Sequence, residues 1–165
     1  MKKMKKVMAL LLSLVMVLAM SIATFATENP TGSSNTYTIT IENAEKGHVY
    51  EAYQIFTGDL NEGVLSNIKW GNGVDATGQT YFGSAADKAK ALDTAEAAKG
   101  FAKELETKKY LATSKSSTEA QGPYTISELA AGYYLVKDKA NSLTGKDYYY
   151  TAFIMKVVDN VKATP

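Results

Sequence analysis

Residues 36–42 read TYTITIE, and this stretch decides the fold class of the 165-residue chain. The pattern alternates strictly, with Tyr37, Ile39 and Ile41 on one face and threonines on the other. Successive side chains of a β-strand point to opposite faces, so the alternation predicts a strand with one face in a core.

Further strand patterns follow along the chain, separated by turn residues. Residues 48–56 (HVYEAYQIF) are rich in strand formers on both faces and predict a central strand, and residues 57–63 are expected to form a turn. Other strands are predicted at 64–70, 123–128, 132–136 and 148–158, and a polar loop at 113–122. Short strands with turn signals about every 8–12 residues are typical of an all-β sandwich.

The hydrophobic period changes to that of a helix between residues 84 and 109. Apolar residues recur at helical spacing at Ala98, Phe101, Ala102 and Leu105. Ser84 with Asp87 resembles a capping box, and Asp93 or Thr94 offers a second helix start. Gly100 inside the pattern costs about 1 kcal/mol relative to alanine. The sequence therefore predicts two short helices, or one imperfect helix, inserted between strands.

The first 26 residues have the pattern of a secretory signal peptide. A basic start (MKKMKK) precedes an apolar run at residues 7–22, and small residues occupy the −3 and −1 positions before the predicted cleavage after Ala26, with Ala23 as the second choice. A transmembrane anchor is the alternative, because the run is just short of a full membrane span. A signal peptide predicts a secreted protein with no membrane contact after cleavage.

Composition argues against most enzyme and cofactor chemistries. All 18 basic residues are lysines, there is no cysteine, and there is one histidine. These counts exclude disulfides and a thiol nucleophile, and they leave too few ligands for a His/Cys metal site. Removing the signal peptide with its four lysines leaves 14 lysines against 17 acidic residues, a net charge of −3, which argues against nucleic acid as a partner. The sequence predicts no catalytic residue, no cofactor and no metal.

Four individual residues carry simpler expectations. Asp59 and Glu62 lack the regular acidic spacing of a calcium loop. His48 follows residues 46–47 (KG) and is expected at a turn or on the surface, and Trp70 is expected to fill the core.

Several segments resemble the N-terminal domain of Gram-positive shaft pilins. They are YTITI at 37–41, GHVYEAYQIFTGD at 47–59, LSNIKWG at 65–71, the alanine-rich helical segment, and LAAGYYLV at 129–136. The resemblance implies a mainly β, Ig-like sandwich of the fimbrial isopeptide-forming type, with a helical insertion at about 84–109. Residues 28–35 (ENPTGSSN) are polar and rich in turn formers, with no apolar periodicity, and predict a flexible leader at 27–35. The resemblance implies the Ig-like domain at 36–161 and the start of an inter-domain linker at 162–165.

The same resemblance implies a structural subunit of a surface pilus in the cell wall, polymerised by a class C sortase with other pilin subunits as partners. The sortase joins a threonine of one subunit's sorting signal to a lysine at the end of the next subunit's N-terminal domain. In similar sequences that lysine follows a Thr-Pro or Tyr-Pro step, which places it after Pro165, and the chain is expected to be a truncated product or a fragment. Lys162 is the nearby candidate acceptor; the alternative is an ordinary solvated lysine at a strand end.

Members of the family form an internal crosslink between a buried lysine on an early strand and an asparagine on the last strand, promoted by a buried acid. Asn160 is a candidate acceptor, and Glu51 or Glu128 is a candidate acid. The first two predicted strands offer no obvious inward lysine, so we expect no crosslink in this domain.

A second class of function remains open. The chain is alternatively a stand-alone secreted adhesin module that binds a host protein or glycan through its loops or through the tyrosine-rich residues 148–150. In either case the sequence predicts a protein that is not an enzyme.

Overall fold

A computed structural model describes residues 35–42, 44, 47–117, 123–140, 142 and 152–164. The predicted signal peptide, most of the predicted leader and residues 148–150 lie outside these ranges. The described elements are, in order, β1 (Tyr37–Ile41), β2 (Tyr50–Asn61), β3 (Val64–Trp70), α1 (Ala76–Phe82), α2 (Ala85–Lys90), α3 (Ala95–Thr107), β4 (Ser114–Ser116), β5 (Tyr124–Leu129), β6 (Gly132–Asp138), β7 (Ala152–Val157) and β8 (Val161–Ala163). The predicted mainly β fold with a helical insertion is confirmed.

The strands form two sheets. The smaller sheet has the order β5-β1-β8, with β1 antiparallel to β5 and parallel to β8. The larger sheet has the order β3-β2-β6-β7, and β4 pairs with the first half of β2. Residues 158–160 separate β7 in the larger sheet from β8 in the smaller one. This short connection therefore closes one side of the sandwich.

Both faces of the larger sheet are covered. Consecutive side chains of its strands point to opposite faces, and because apolar residues occupy both sets of positions, each face packs against another layer. One face packs against the smaller sheet, and the buried residues there are Ile39, Ile41, Tyr50, Ala52, Tyr124, Ile126, Leu129, Tyr134, Val136, Phe153, Met155, Val157 and Ala163. The other face packs against the helices, with buried residues Tyr53, Ile55, Phe56, Val74, Ala85, Ala98, Phe101, Ala102, Leu105, Leu135, Ala152 and Ile154. The prediction that β2 is a central strand is confirmed.

A β-bulge in β2 shapes the helix-facing core. Gln54 pairs with Tyr134 and Phe56 pairs with Tyr133, so Ile55 is an extra residue on the β2 side. The bulge lets Ile55 and Phe56 both contribute to the core under the helices. Gly132 lies close against this bulge, since a Cβ built there would be 2.4 Å from the carbonyl oxygen of Phe56.

The helical region begins earlier than the sequence predicts. Ser84 and Thr94 are the N-caps of α2 and α3, as expected, but α1 precedes both. Its sequence, ATGQTYF, contains a glycine and several residues of low helix propensity, so it carries little local signal. The helix is instead stabilised by its N-cap Asp75, whose side chain accepts a 2.6 Å hydrogen bond from the Gly78 N–H.

Three further expectations are corrected by strand pairing. β2 continues to Asn61, because β3 pairs with residues 56–61, and so the expected turn at 57–63 is confined to residues 62–63. The expected loop at 113–122 contains β4, which pairs with Glu51–Tyr53 of β2. Lys162, expected at the start of a linker, lies in β8. In each case pairing with a neighbouring strand, rather than a long alternating pattern in the sequence, gives these residues their strand conformation.

We predict opposite effects for two glycine-to-alanine substitutions. Gly132→Ala should destabilise the fold by about 1–3 kcal/mol, because the new Cβ would overlap the backbone of β2. Gly100→Ala should stabilise it by about 0.5–1 kcal/mol, because nothing lies within 4 Å of the new Cβ in α3. Urea titration of both variants measures the difference, and equal midpoints for the two would contradict the bulge geometry.

Candidate functional site

Lys162 lies on the outer face of the edge strand β8. It pairs with Thr40 of β1, and its neighbours Val161 and Ala163 turn towards the core. The Lys162 side chain is 72 % exposed, and its Nζ lies 2.7 Å from Oε1 of Glu42. The fold thus presents a primary amine to solvent beside a carboxylate, close to the end of the last strand.

Asn160 joins the β7–β8 connection to β1. Its side-chain Oδ1 accepts a 2.9 Å hydrogen bond from the backbone N–H of Thr38. Its own backbone N–H donates to Oδ1 of Asp159 at 2.7 Å. The amide of this candidate crosslink acceptor is therefore used to hold the chain where it passes between the sheets.

Glu51 lies at the helix-facing side of the larger sheet, opposite Lys137 of β6. Their side chains are 13 % and 9 % exposed, and the Lys137 Nζ lies 3.8 Å from Oε2 of Glu51. The hydroxyl of Tyr53 donates to the same Oε2 at 2.8 Å, and the Lys137 Nζ donates to the Asp138 carbonyl oxygen at 3.1 Å. Glu51, a candidate crosslink acid from the sequence, is thus part of a nearly buried ion pair with Lys137.

Lys137 was missed by the sequence analysis, although a signal for it exists. It follows Tyr133 and Leu135 at strand spacing, and both of these pack towards the helices. A lysine that continues an inward-facing series in a strand needs an acidic partner, and Glu51 occupies the directly opposite position on β2.

His48 and Asp138 form a second buried pair on the opposite face of the same sheet end. The expectation that His48 lies at a turn or on the surface is wrong, because His48 is 5 % exposed and Asp138 is fully buried. Nδ1 of His48 lies 2.7 Å from Oδ1 of Asp138, and the His48 N–H donates to the Tyr124 hydroxyl at 3.2 Å. The His48 ring stacks on Tyr50, with the ring centroids 5.3 Å apart. Aromatic packing and the carboxylate together make burial of the imidazole possible.

Glu128 is the most exposed of the candidate residues. Its side chain is 78 % exposed and pairs with Lys115 of β4, with the Lys115 Nζ 3.0 Å from Glu128 Oε2. At this exposure the carboxylate lacks the apolar setting that the expected crosslink acid requires.

The structure does not bring the candidate crosslink residues together. Glu51 lies beside Lys137, which pairs with Ala152 at the start of β7, whereas Asn160 follows Val157 at the end of β7. At about 3.3 Å per residue, the length of β7 places these positions roughly 16 Å apart along the sheet. Glu51 and Asn160 therefore lie towards opposite ends of the sandwich.

Trp70 is only partly buried, but it does pack on the helix-facing core, as expected. Its indole Nε1–H donates to the Gly83 carbonyl oxygen at 2.8 Å, and its ring lies 5.0 Å from that of Phe56. It therefore fixes the chain between α1 and α2 against β3.

The acidic side chains and the helices of the described residues bear on metal ligation and on membrane insertion. No group of three or more His, Asp or Glu side chains is clustered there in a way that could hold a metal ion. The Asp59 carboxylate accepts a 2.6 Å hydrogen bond from the Asn67 amide within the β2–β3 hairpin. In the same part of the chain, no helix has the length and apolar character needed to cross a bilayer.

Two buried tyrosines predict a loss of stability at alkaline pH. Burial, reinforced by the hydrogen bond to Glu51, raises the pKa of Tyr53 to about 12, and burial raises the pKa of Tyr134 to about 12 from its ordinary value of 10.0. The fold thus favours the neutral phenols. Their contribution is complete below pH 10.0 and is lost as the pH rises towards about 12. The denaturant concentration at the unfolding midpoint should fall as the pH rises across this range, and it should fall less steeply in Tyr53→Phe. The same dependence of the midpoint on pH in that variant as in wild type would contradict the role of Tyr53.

We predict that the mature chain carries no lysine–asparagine crosslink, since the candidate residues lie apart. Condensation of a lysine with an asparagine releases ammonia, so intact mass spectrometry of the chain after signal removal should give the sum of its residues. A mass lower by one ammonia, absent in Asn160→Ala, would show that the bond forms and would contradict this prediction.

Comparison with known proteins gives a distant structural likeness. No family model and no curated protein matches the chain. Among solved structures, it is similar to the T6 backbone pilin of serotype M6 Streptococcus pyogenes, which has a modular three-domain structure with variable loops and extensions. The sequences are 15 % identical, the TM-score is 0.48, and the match covers 82 % of this chain but 28 % of the pilin chain. A likeness at this level does not assign the chain to a family.

Proposed function

We propose that this chain is a structural subunit of a surface pilus, the N-terminal domain of a backbone pilin. In this proposal a class C sortase and other pilin subunits are its partners, and the exported protein resides in the cell wall and pilus. The observation that carries the proposal is the amine of Lys162, exposed on an edge strand at the end of the sandwich.

The segments that resemble shaft pilins support the proposal through their places in the fold. YTITI forms β1, the GHVYEAYQIFTGD segment supplies most of β2, and LAAGYYLV supplies most of β6. These strands contribute side chains to the core between the two sheets. The resemblance therefore concerns residues that build the sandwich, rather than surface residues alone.

The proposed chemistry requires little from this chain beyond an accessible amine. The sortase holds the threonine carbonyl of a second subunit as a thioester on its cysteine. Neutral Nζ of Lys162 attacks that carbonyl, a C–N bond forms, the C–S bond breaks, and the cysteine thiolate leaves. The product is an amide between two subunits, and this chain is a substrate of the reaction.

We predict that a class C sortase transfers a Leu-Pro-x-Thr-Gly peptide to Lys162 of the mature chain. Lys162→Arg should abolish the adduct, because a guanidinium keeps the charge but does not act as the nucleophile. Lys115→Arg is the matched control, since Lys115 is also an exposed lysine in an ion pair. Peptide mapping by tandem mass spectrometry locates the adduct.

An adduct on another lysine, or none on the wild-type chain, would overturn the proposed acceptor. Absence of transfer to any lysine would favour the alternative, an adhesin module.

The feature that favours that alternative is the β2–β3 hairpin. Residues 57–61 of β2 extend past the last residue paired with β6, and Val64 at the tip is 64 % exposed. A projecting hairpin with an apolar tip favours contact with another protein, here one of the host.

A further inference from the structure

We propose that Glu42 is the positioning residue for Lys162, and that it takes the proton which Lys162 must lose before it attacks the thioester. This inference rests on the proposed function, since it concerns the same acyl-transfer step. The direct observation is the 2.7 Å contact between Glu42 Oε1 and Lys162 Nζ.

The backbone fixes this contact from both sides. Glu42 directly follows β1, and its N–H donates to the Ala163 carbonyl oxygen at 2.8 Å. On β8, Lys162 is held in register with Thr40. The hydrogen bond from Thr38 to Asn160 anchors the other end of the β8 segment. The amine and the carboxylate are therefore held by two paired strands and not by a mobile loop.

The two partners differ in exposure in a way that suits their roles. The Lys162 side chain is 72 % exposed, whereas that of Glu42 is 38 % exposed. The lysine can thus enter an enzyme cleft while the carboxylate stays against the sheet. The neighbouring titratable groups among the described residues have other partners: the Tyr124 hydroxyl accepts from His48, and Asp159 accepts from Asn160.

The chemistry follows from the removal of water when the sortase covers the pair. Desolvation disfavours both charged forms, so a proton passes from the Lys162 ammonium to the Glu42 carboxylate, which leaves a neutral amine and a neutral carboxylic acid. The amine then attacks the threonine thioester. Its second proton passes to the departing cysteine thiolate, and the amide and a free thiol are formed. The step balances with the acyl-enzyme as its only co-reactant.

The test compares Glu42→Gln with Glu128→Gln in sortase transfer to the mature chain. Both variants remove the carboxylate of an exposed lysine–glutamate pair, but only the first pair contains Lys162. We expect Glu42→Gln to transfer about 100-fold more slowly at neutral pH. Its rate should then rise more steeply with pH than that of wild type, because base from solution replaces the missing carboxylate as proton acceptor, so that the difference from wild type shrinks at alkaline pH. Glu128→Gln should match wild type, and Glu42→Asp should recover part of the rate.

The outcomes separate this inference from the proposed function. Adducts at Lys162 that form equally fast in wild type and Glu42→Gln would overturn the role of Glu42 and leave Lys162 as the acceptor. A slower Glu42→Gln with an unchanged pH profile would also overturn it, because only a structural effect would remain. If the wild-type chain forms no adduct, the proposed function itself fails.

Discussion

The parallel pairing of β1 with β8 is the constraint on which the candidate site depends. Parallel neighbours cannot be joined by a tight turn, and here almost the whole domain lies between them: the Glu42–Lys162 contact joins residues 120 positions apart in the sequence. The pair can form only when both sheets have assembled, because β1 also pairs with β5 and β8 follows directly from β7. The amine of Lys162 therefore lies beside the Glu42 carboxylate only in a completely folded domain. In the proposed polymer assembly, this dependence would favour the reaction of folded subunits with the sortase.

The ionisable groups buried at the other end of the sandwich have a different role. Lys137 and Asp138 are consecutive in β6, so their side chains point to opposite faces, one towards Glu51 and the other towards His48. Each face of the larger sheet thus has one pair of ionisable side chains where its apolar core ends: an ion pair on the helix-facing side and a hydrogen-bonded pair on the other. Removing one partner of such a pair lowers the stability of the fold, because the other ionisable side chain is then buried without its partner. An intact buried pair adds little net stability, so we infer that these contacts mainly specify the strand register. They are structural pairs, enclosed by tyrosines and strands.

The sequence predicted those parts of the fold whose signals are local. The alternation of YTITI located β1, and the hydroxyls of Ser84 and Thr94 located the starts of α2 and α3. The missed strands β4 and β8 take their conformation from pairing with distant strands, and α1 was missed because its N-cap Asp75 precedes a sequence of low helix propensity. The same distinction applies to the site. Lys162 was identified by its position in the chain, whereas Glu42 and the partners of His48 became apparent only when strands from different parts of the sequence were paired.

In the proposed polymer, the place of Lys162 also determines which bonds carry tension. Force from the neighbouring subunit would enter at Nζ of Lys162 and leave along the chain that follows β8, because sorting signals lie at the C-terminal ends of such subunits. Both points belong to the same strand, so the remaining strands lie beside the path of the force rather than within it. The bonds from Glu42 to Ala163 and from Thr38 to Asn160 would then only keep β8 attached to the sandwich. A domain loaded in this way has little mechanical need for a covalent crosslink between its first and last strands, and its asparagine at the end of the sandwich is free to serve as a hydrogen-bond acceptor for the backbone of β1.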